Sequence, residues 1–188
     1  MSRGPNERPA VGRDESSAGE ATPAEESAKA EPGEVLEHDS GKSAGQRGIA
    51  GSGHAVRFEA PGDDRLLTSA PIFGARYGYP RPPDEDFHVW LCDETMPAIA
   101  EYAFPYADFK RGDPEWVTLQ IEATKVPKKF IVCAGFNPEQ TKWVYVHYDD
   151  QPAENSLTGL PGQEAKVFST GNWLIRATLA PAQIERAE

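Results

Sequence analysis

The sequence predicts an all-β protein, a two-sheet antiparallel sandwich with jelly-roll connections, preceded by a disordered tail. About eight short segments after residue 53 are rich in β-branched and aromatic residues, several of them alternating with polar ones. Loops rich in Pro, Gly and Asp separate these segments, and no long amphipathic helical pattern lies between them. Together these observations are typical of a sandwich or barrel, and the mixed loop lengths favour the jelly roll.

The domain boundaries follow from where apolar residues begin. Residues 1–38 are rich in Glu, Ala, Ser, Pro and Gly, and every Phe, Trp and Tyr lies after residue 48. Such a segment buries too little apolar surface to offset its chain entropy, so we expect a disordered acidic tail or linker. The sandwich domain is predicted at 39–180 and a C-terminal tail at 181–188. Residues 35–39 are either a short edge strand or the start of the domain.

The predicted strands are 54–59, 66–77, 87–93, 99–104, 116–122, 129–136, 142–148 and 172–179. The run 129–136 is almost wholly apolar, which indicates a central strand buried on both faces. Pro71 favours an edge or bulge position for its strand, because proline cannot donate to a ladder. Residues 40–53 are predicted to be a loop, and 105–114 a long turn with one helical turn around 106–109.

Charge excludes some partners. The formal net charge is −11, and the basic cluster Lys125, Lys128 and Lys129 is thin. Nucleic acid binding needs a basic face, so it is disfavoured, as is binding to an anionic membrane surface. No stretch approaches the ~20 apolar residues of a membrane-spanning helix, so no membrane insertion is expected.

The expected cellular compartment bears on whether the two cysteines can form a disulfide. No apolar signal segment follows Met1, so the chain as written is expected to be cytoplasmic, or extracytoplasmic if its start is incomplete. Cys92 and Cys133 each lie in an apolar strand. We favour two small buried hydrophobic residues, and the alternative is an inter-strand disulfide in an oxidising compartment.

Catalytic and metal motifs are few. The sequence has no Gly-x-Ser-x-Gly motif, no glycine-rich phosphate loop before a helix and no close pair among its four His. We therefore predict no catalytic residue and no cofactor. Calcium is the metal that would suit the chain, with ligands from Asp84, Asp86, Asp149 and Asp150 in two acidic loops. The favoured alternative is that these loops are simply solvated.

Aromatic residues give the remaining functional indication. The chain has four Trp and six Tyr, and sandwiches bury most such rings between their sheets. Tyr77, Tyr79 and Trp143 adjoin predicted loops, so we predict that these residues bind the ligand.

Four segments carry a resemblance to a known module: 40–58, 72–78, 136–149 and 160–175, the third including Trp143-Val-Tyr-Val-His-Tyr148. The pattern resembles an uncharacterised bacterial β-sandwich accessory module, similar to galactose-binding-like domains, that recurs in multidomain and often extracytoplasmic proteins. The resemblance spans about residues 39–180. It implies a galactose-binding-like jelly roll without a catalytic role. Trp143 stands where that pattern has a small residue.

We therefore predict a non-catalytic binding or accessory module whose ligand is a glycan or a protein surface. One alternative is a hydrolase with acidic residues on a face of the jelly roll, which would turn over glycosides. Another is a structural module that packs on a partner or on itself.

Overall fold

A computed structural model describes residues 33–136 and 142–182, and only the backbone of Lys142 and Trp143. The predicted tails lie outside these residues except for 33–38, 181 and 182. The described strands are β1 (Glu34–Leu36), β2 (Gly45–Arg47), β3 (His54–Glu59), β4 (Arg65–Gly78), β5 (Asp86–Asp93), β6 (Ala98–Pro105), β7 (Glu115–Lys125), β8 (Lys129–Gly135), β9 (Lys142–Tyr148), β10 (Ser156–Thr158), β11 (Lys166–Val167) and β12 (Ala177–Pro181). A short 3-10 turn covers Tyr106–Asp108, as the sequence predicts. No helix in the described ranges is long and apolar enough to cross a membrane.

The strands form two antiparallel sheets, which confirms the predicted sandwich. Sheet A has the order β1-β12-β4-β9-β2, and β7 also pairs with β4. Sheet B has the order β11-β10-β3-β8-β5-β6. β1 is the edge strand of sheet A through its pairing with β12, so the residues before position 39 take part in the sheet.

The main core lies between the inner faces of the two sheets. Strand alternation supplies it, because every second side chain points to the same face. In β5, Phe87, Val89 and Leu91 are fully buried there, as the sequence predicts. β9 contributes Val144 and Val146 from the opposite sheet. Each such buried aliphatic or aromatic side chain contributes about 1.5–3 kcal/mol.

β8 is buried on both faces, which confirms its predicted central position. Phe130 and Val132 belong to the main core, whereas Ile131 and Cys133 belong to a second cluster on the outer face of sheet B. Met96, Leu157 and parts of neighbouring loops complete that cluster. The apolar run of β8 therefore reflects two separate buried surfaces.

Both cysteines are buried and free, so the alternative of a disulfide is set aside. Cys133 donates a hydrogen bond from its thiol to the carbonyl of Gly159 at 3.2 Å. Burial raises the pKa of the Cys92 thiol to about 12, and burial also raises the pKa of Cys133. Neither residue therefore offers the thiolate that nucleophiles and metal ligands require.

Both thiols are expected to resist a thiol reagent such as 5,5′-dithiobis(2-nitrobenzoate) at pH 8 in the native protein. The reagent attacks thiolates, and the two groups are protonated and shielded from solvent. In guanidinium the same protein is expected to release two equivalents of chromophore, which serves as the control. Stoichiometric labelling of the native protein within minutes would contradict the burial described above.

Three features differ from the sequence-based expectation. β2 lies within the predicted loop 40–53, and β10 and β11 were not predicted. The predicted strand 172–179 is a regular strand only from Ala177 onward. Before it, Trp173 and Ile175 make only isolated bridges, to β9 and β4 respectively. β4 is not an edge strand, since it pairs with β7, β9 and β12. Pro71 is tolerated because it faces the irregular segment 172–176, where its carbonyl accepts the backbone N–H of Arg176.

Candidate functional site

The candidate site lies on the outer face of sheet A, where β4 and β9 run side by side. Val144 and Val146 point into the core, so Tyr145 between them points outward. The register pairs Ala75 with Tyr145 and Tyr77 with Trp143. Residues opposite each other in an antiparallel ladder project to the same face. Tyr77 and Tyr145 are therefore diagonal neighbours on the outer surface.

The rings of Tyr77 and Tyr145 are stacked. Their centroids are 4.1 Å apart and their planes differ by 16°. Burial, followed by the neighbouring Tyr145 hydroxyl, raises the pKa of Tyr77 to about 12. The phenol of Tyr77 is therefore neutral at physiological pH, and the two stacked rings form an aromatic wall.

Arg76 fixes the loop that follows β4. Its side chain points to the inner face and is 6% exposed. The two terminal nitrogens donate to the carbonyls of Tyr79 at 2.6 Å and Pro80 at 2.9 Å. This holds Tyr79 at the end of the sheet, where its side chain is 65% exposed.

A second arginine ties a neighbouring loop to the same corner. The Nε atom of Arg111 donates to the carbonyl of Gly78 at 2.9 Å. The backbone N–H of Arg76 donates to the carbonyl of Lys110 at the same distance. Gly78 has a φ of 92°, a conformation that glycine adopts without strain. The loops after β4 and before β7 are thus fixed against each other.

These elements enclose an open groove of about 320 Å³ beside the tyrosine pair. Gln46 from β2 and Arg111 add side-chain hydrogen-bond donors to its aromatic wall. The remaining lining residues are Ala75, Arg76, Gly78 and Gly112. An aromatic wall with a few placed polar groups is the usual composition of a small-molecule site, and the volume lies at the lower end of the usual range of about 300–1,000 Å³.

Another part of this outer face is covered by the protein itself. The guanidinium of Arg176 lies 4.3 Å from the ring centre of Trp116. It also forms two hydrogen bonds with the carboxylate of Asp39, at 2.7 and 3.0 Å, and an ion pair with Glu37 at 2.7 Å. The segment before β2 is thereby held over one end of the sheet, and the Tyr77 end is left open.

The four acidic residues predicted as calcium ligands occupy different environments. Asp84 is exposed in the loop before β5, and Asp86 is exposed at the start of β5. Asp150 is exposed and accepts a hydrogen bond from the Gln151 side chain. No group of three or more His, Cys, Asp or Glu in residues 33–136 and 142–182 is arranged to hold a metal. Calcium binding stays a prediction.

Asp149 is buried, and its carboxylate holds three segments of chain together. It accepts hydrogen bonds from the backbone N–H groups of Ser40 at 2.8 Å, Asn172 at 2.8 Å and Gln151 at 3.1 Å. Burial alone would raise its pKa, but these backbone hydrogen bonds outweigh burial and lower it. The carboxylate is therefore ionised and already satisfied by the protein.

The structure brings two of the three predicted aromatic positions together through strand register. The backbone of Trp143 pairs with Tyr77, and Tyr79 follows two residues along the chain. Sequence reasoning missed Tyr145, although its alternation with Val144 and Val146 places it on the face of Trp143. It also missed Gln46 and Arg111, for which the sequence carries no signal, because they reach the groove from a short strand and a loop.

The described residues thus define a class of structure, an all-β two-sheet sandwich with an aromatic groove on one outer face. No protein-family model and no curated protein sequence matches the chain. Among solved structures, the chain is similar to that of the cysteine protease and lectin-like domains of Cwp84, a surface layer associated protein of Clostridium difficile. The TM-score is 0.48 at 12% identity, over 69% of this chain and 32% of that one. The chain spans about a third of the length of that structure.

Proposed function

We propose that this chain is a non-catalytic carbohydrate-binding module and that its sugar lies against Tyr77 and Tyr145. The stacked tyrosine pair lining the groove is the observation that carries the proposal. The C–H faces of a pyranose ring are apolar and flat, and they pack well on an aromatic surface. The ring hydroxyls would then accept hydrogen bonds from the Gln46 amide and the Arg111 guanidinium.

A glycan suits this surface better than a protein does. Stable protein interfaces bury about 800 Å² per partner around an apolar centre. The exposed large hydrophobic side chains of the described residues are scattered over four separate elements: Val35, Tyr79, Ile99 and Val167. Of these four only Tyr79 adjoins the groove, so the described residues assemble no apolar patch of protein-binding size there.

Replacing both Tyr77 and Tyr79 with alanine is expected to weaken glycan binding by about 10- to 100-fold, because the stacking surface is lost. The ligand is first found on a glycan array and affinity is then measured by titration calorimetry. Tyr79→Ala alone removes an exposed side chain, so it tests the site with little effect on folding.

Ile99→Ala is the matched control, since Ile99 is a comparably exposed residue on β6 of the other sheet. Its affinity is expected to equal that of the unmodified chain. Unchanged binding by the Tyr77/Tyr79 double variant would rule out this groove as the sugar site. Binding to a host protein but to no glycan would replace the glycan with a protein surface.

The two alternative functions have separate tests. Turnover of a chromogenic glycoside that one Asp or Glu substitution abolishes would establish a hydrolase and overturn a purely binding role. Light scattering on the eluted protein tests self-association. A monodisperse monomer would count against a module that packs on itself.

A further inference from the structure

The groove beside Tyr77 contains two arginines and no acidic lining residue. Arg76 and Arg111 both line it, and their backbones form a bridge. Throughout residues 33–136 and 142–182, the side chains of these two arginines donate only to backbone carbonyls. Burial is the main cause that lowers the pKa of Arg76, and the nearby positive charge of Arg111 is the second. The two positive charges therefore repel each other, and neither forms an ion pair with a carboxylate among the described residues.

Within the described part of the chain, the lack of a carboxylate partner distinguishes Arg111 from its neighbour in sequence, Lys110. The chain carries a net charge of −11, and five other cations among the described residues pair with a carboxylate. Lys110 pairs with Glu115 at 3.0 Å. Arg111, its neighbour in sequence, has no such partner among the described residues. The guanidinium of Arg76 points to the inner face and is held by backbone carbonyls of the loop after β4, so Arg111 is the arginine that a ligand in the groove can reach. A guanidinium group that lines a groove without a carboxylate partner favours an anionic ligand.

We infer that the groove takes an anionic glycan, one that carries carboxylate or sulfate groups. This inference rests on the proposed function and specifies its ligand class. Arg111 is the binding residue for the anion: its Nε atom is held by Gly78, which leaves the N–H groups of its terminal nitrogens for the ligand. Two parallel N–H groups match the two oxygens of a carboxylate or sulfate. Tyr77 and Tyr145 then support the sugar ring.

The test uses the full chain and pairs of oligosaccharides that differ only in charge. One pair is a uronic acid oligosaccharide and its methyl ester, and the other is a sulfated oligosaccharide and its desulfated form. The charged member of a pair is expected to bind at least about tenfold more tightly at low salt. Added NaCl is expected to reduce that preference through screening. The pair with the larger preference distinguishes carboxylate from sulfate.

Arg111→Gln is expected to remove the preference for charge while weak binding of the neutral member remains. Lys110→Gln removes the same charge from the adjacent residue, and it is expected to keep the preference. Equal binding of charged and neutral members, or equal losses in the two variants, would overturn the anionic ligand. If charged and neutral oligosaccharides bound equally and Tyr77→Ala abolished the binding of both, the proposed carbohydrate site would still be supported. If no oligosaccharide bound at all, both proposals would fail.

Discussion

Replacing Asp149 with alanine is expected to lower the free energy of unfolding by about 3–5 kcal/mol. The substitution leaves the backbone N–H groups of Ser40, Gln151 and Asn172 without their acceptor. A buried donor without a partner costs about 1–3 kcal/mol, so the losses add to a large part of the stability of a domain of this size. Guanidinium denaturation followed by circular dichroism measures the change.

Asp150→Ala is the matched control for Asp149→Ala. The two residues are adjacent and identical in chemistry, but Asp150 is exposed and bonds only the side chain of Gln151 among the described residues. Its replacement is expected to change stability by less than about 0.5 kcal/mol. Similar losses for the two variants would mean that net charge, and not the buried hydrogen bonds, determines the effect.

The Asp149 contribution also has a defined pH dependence. Its pKa in the folded protein lies below the ordinary value of 3.8, so the ionised form is favoured by folding. The stabilisation is therefore fully present above about pH 4 and is lost as the pH falls through the lower folded pKa. The stability gap between the unmodified chain and Asp149→Ala is expected to narrow below pH 4, when unfolding is measured across this range.

The fold could largely be predicted because strand alternation is a local property of the sequence. Each of β3, β5 and β7 carries enough alternating or β-branched residues to define its own face. β2, β10 and β11 have only two or three residues each, and β2 begins with glycine. Such segments are strands because their partners offer a ladder, and a partner cannot be read from a single sequence.

The site was predictable only in part, for the same reason. Tyr77 and Tyr79 were predicted from their place beside a loop, but the contact of Tyr77 with Tyr145 depends on the register of β4 with β9. Asp149 and Asp150 look alike in the sequence. They differ in burial: the Asp149 carboxylate accepts hydrogen bonds from several segments of the chain, whereas Asp150 is exposed to water.

Replacing Trp173 with alanine is expected to cost about 3–5 kcal/mol of stability through the cavity it leaves. The side chain is fully buried and stacks on Phe168 with ring centres 3.8 Å apart. Its indole N–H donates to the carbonyl of Leu157 at 3.0 Å, and its backbone N–H donates to the Ser156 hydroxyl at 2.9 Å. One residue of sheet A's irregular segment thus anchors β10 of sheet B.

Two further variants separate the contributions of Trp173. Trp173→Phe keeps an aromatic ring against Phe168 but removes the indole N–H that donates to the Leu157 carbonyl, so a loss of about 1–2 kcal/mol is expected. Trp116→Ala is the control, because Trp116 is only half-buried on the outer face. Its replacement is expected to lower the free energy of unfolding by about 1 kcal/mol, through loss of the contact with Arg176. Thermal and guanidinium unfolding rank the three variants. If Trp116→Ala were as damaging as Trp173→Ala, the link between the sheets would not depend on the buried indole, and the outer aromatic face would itself contribute to holding the sandwich together.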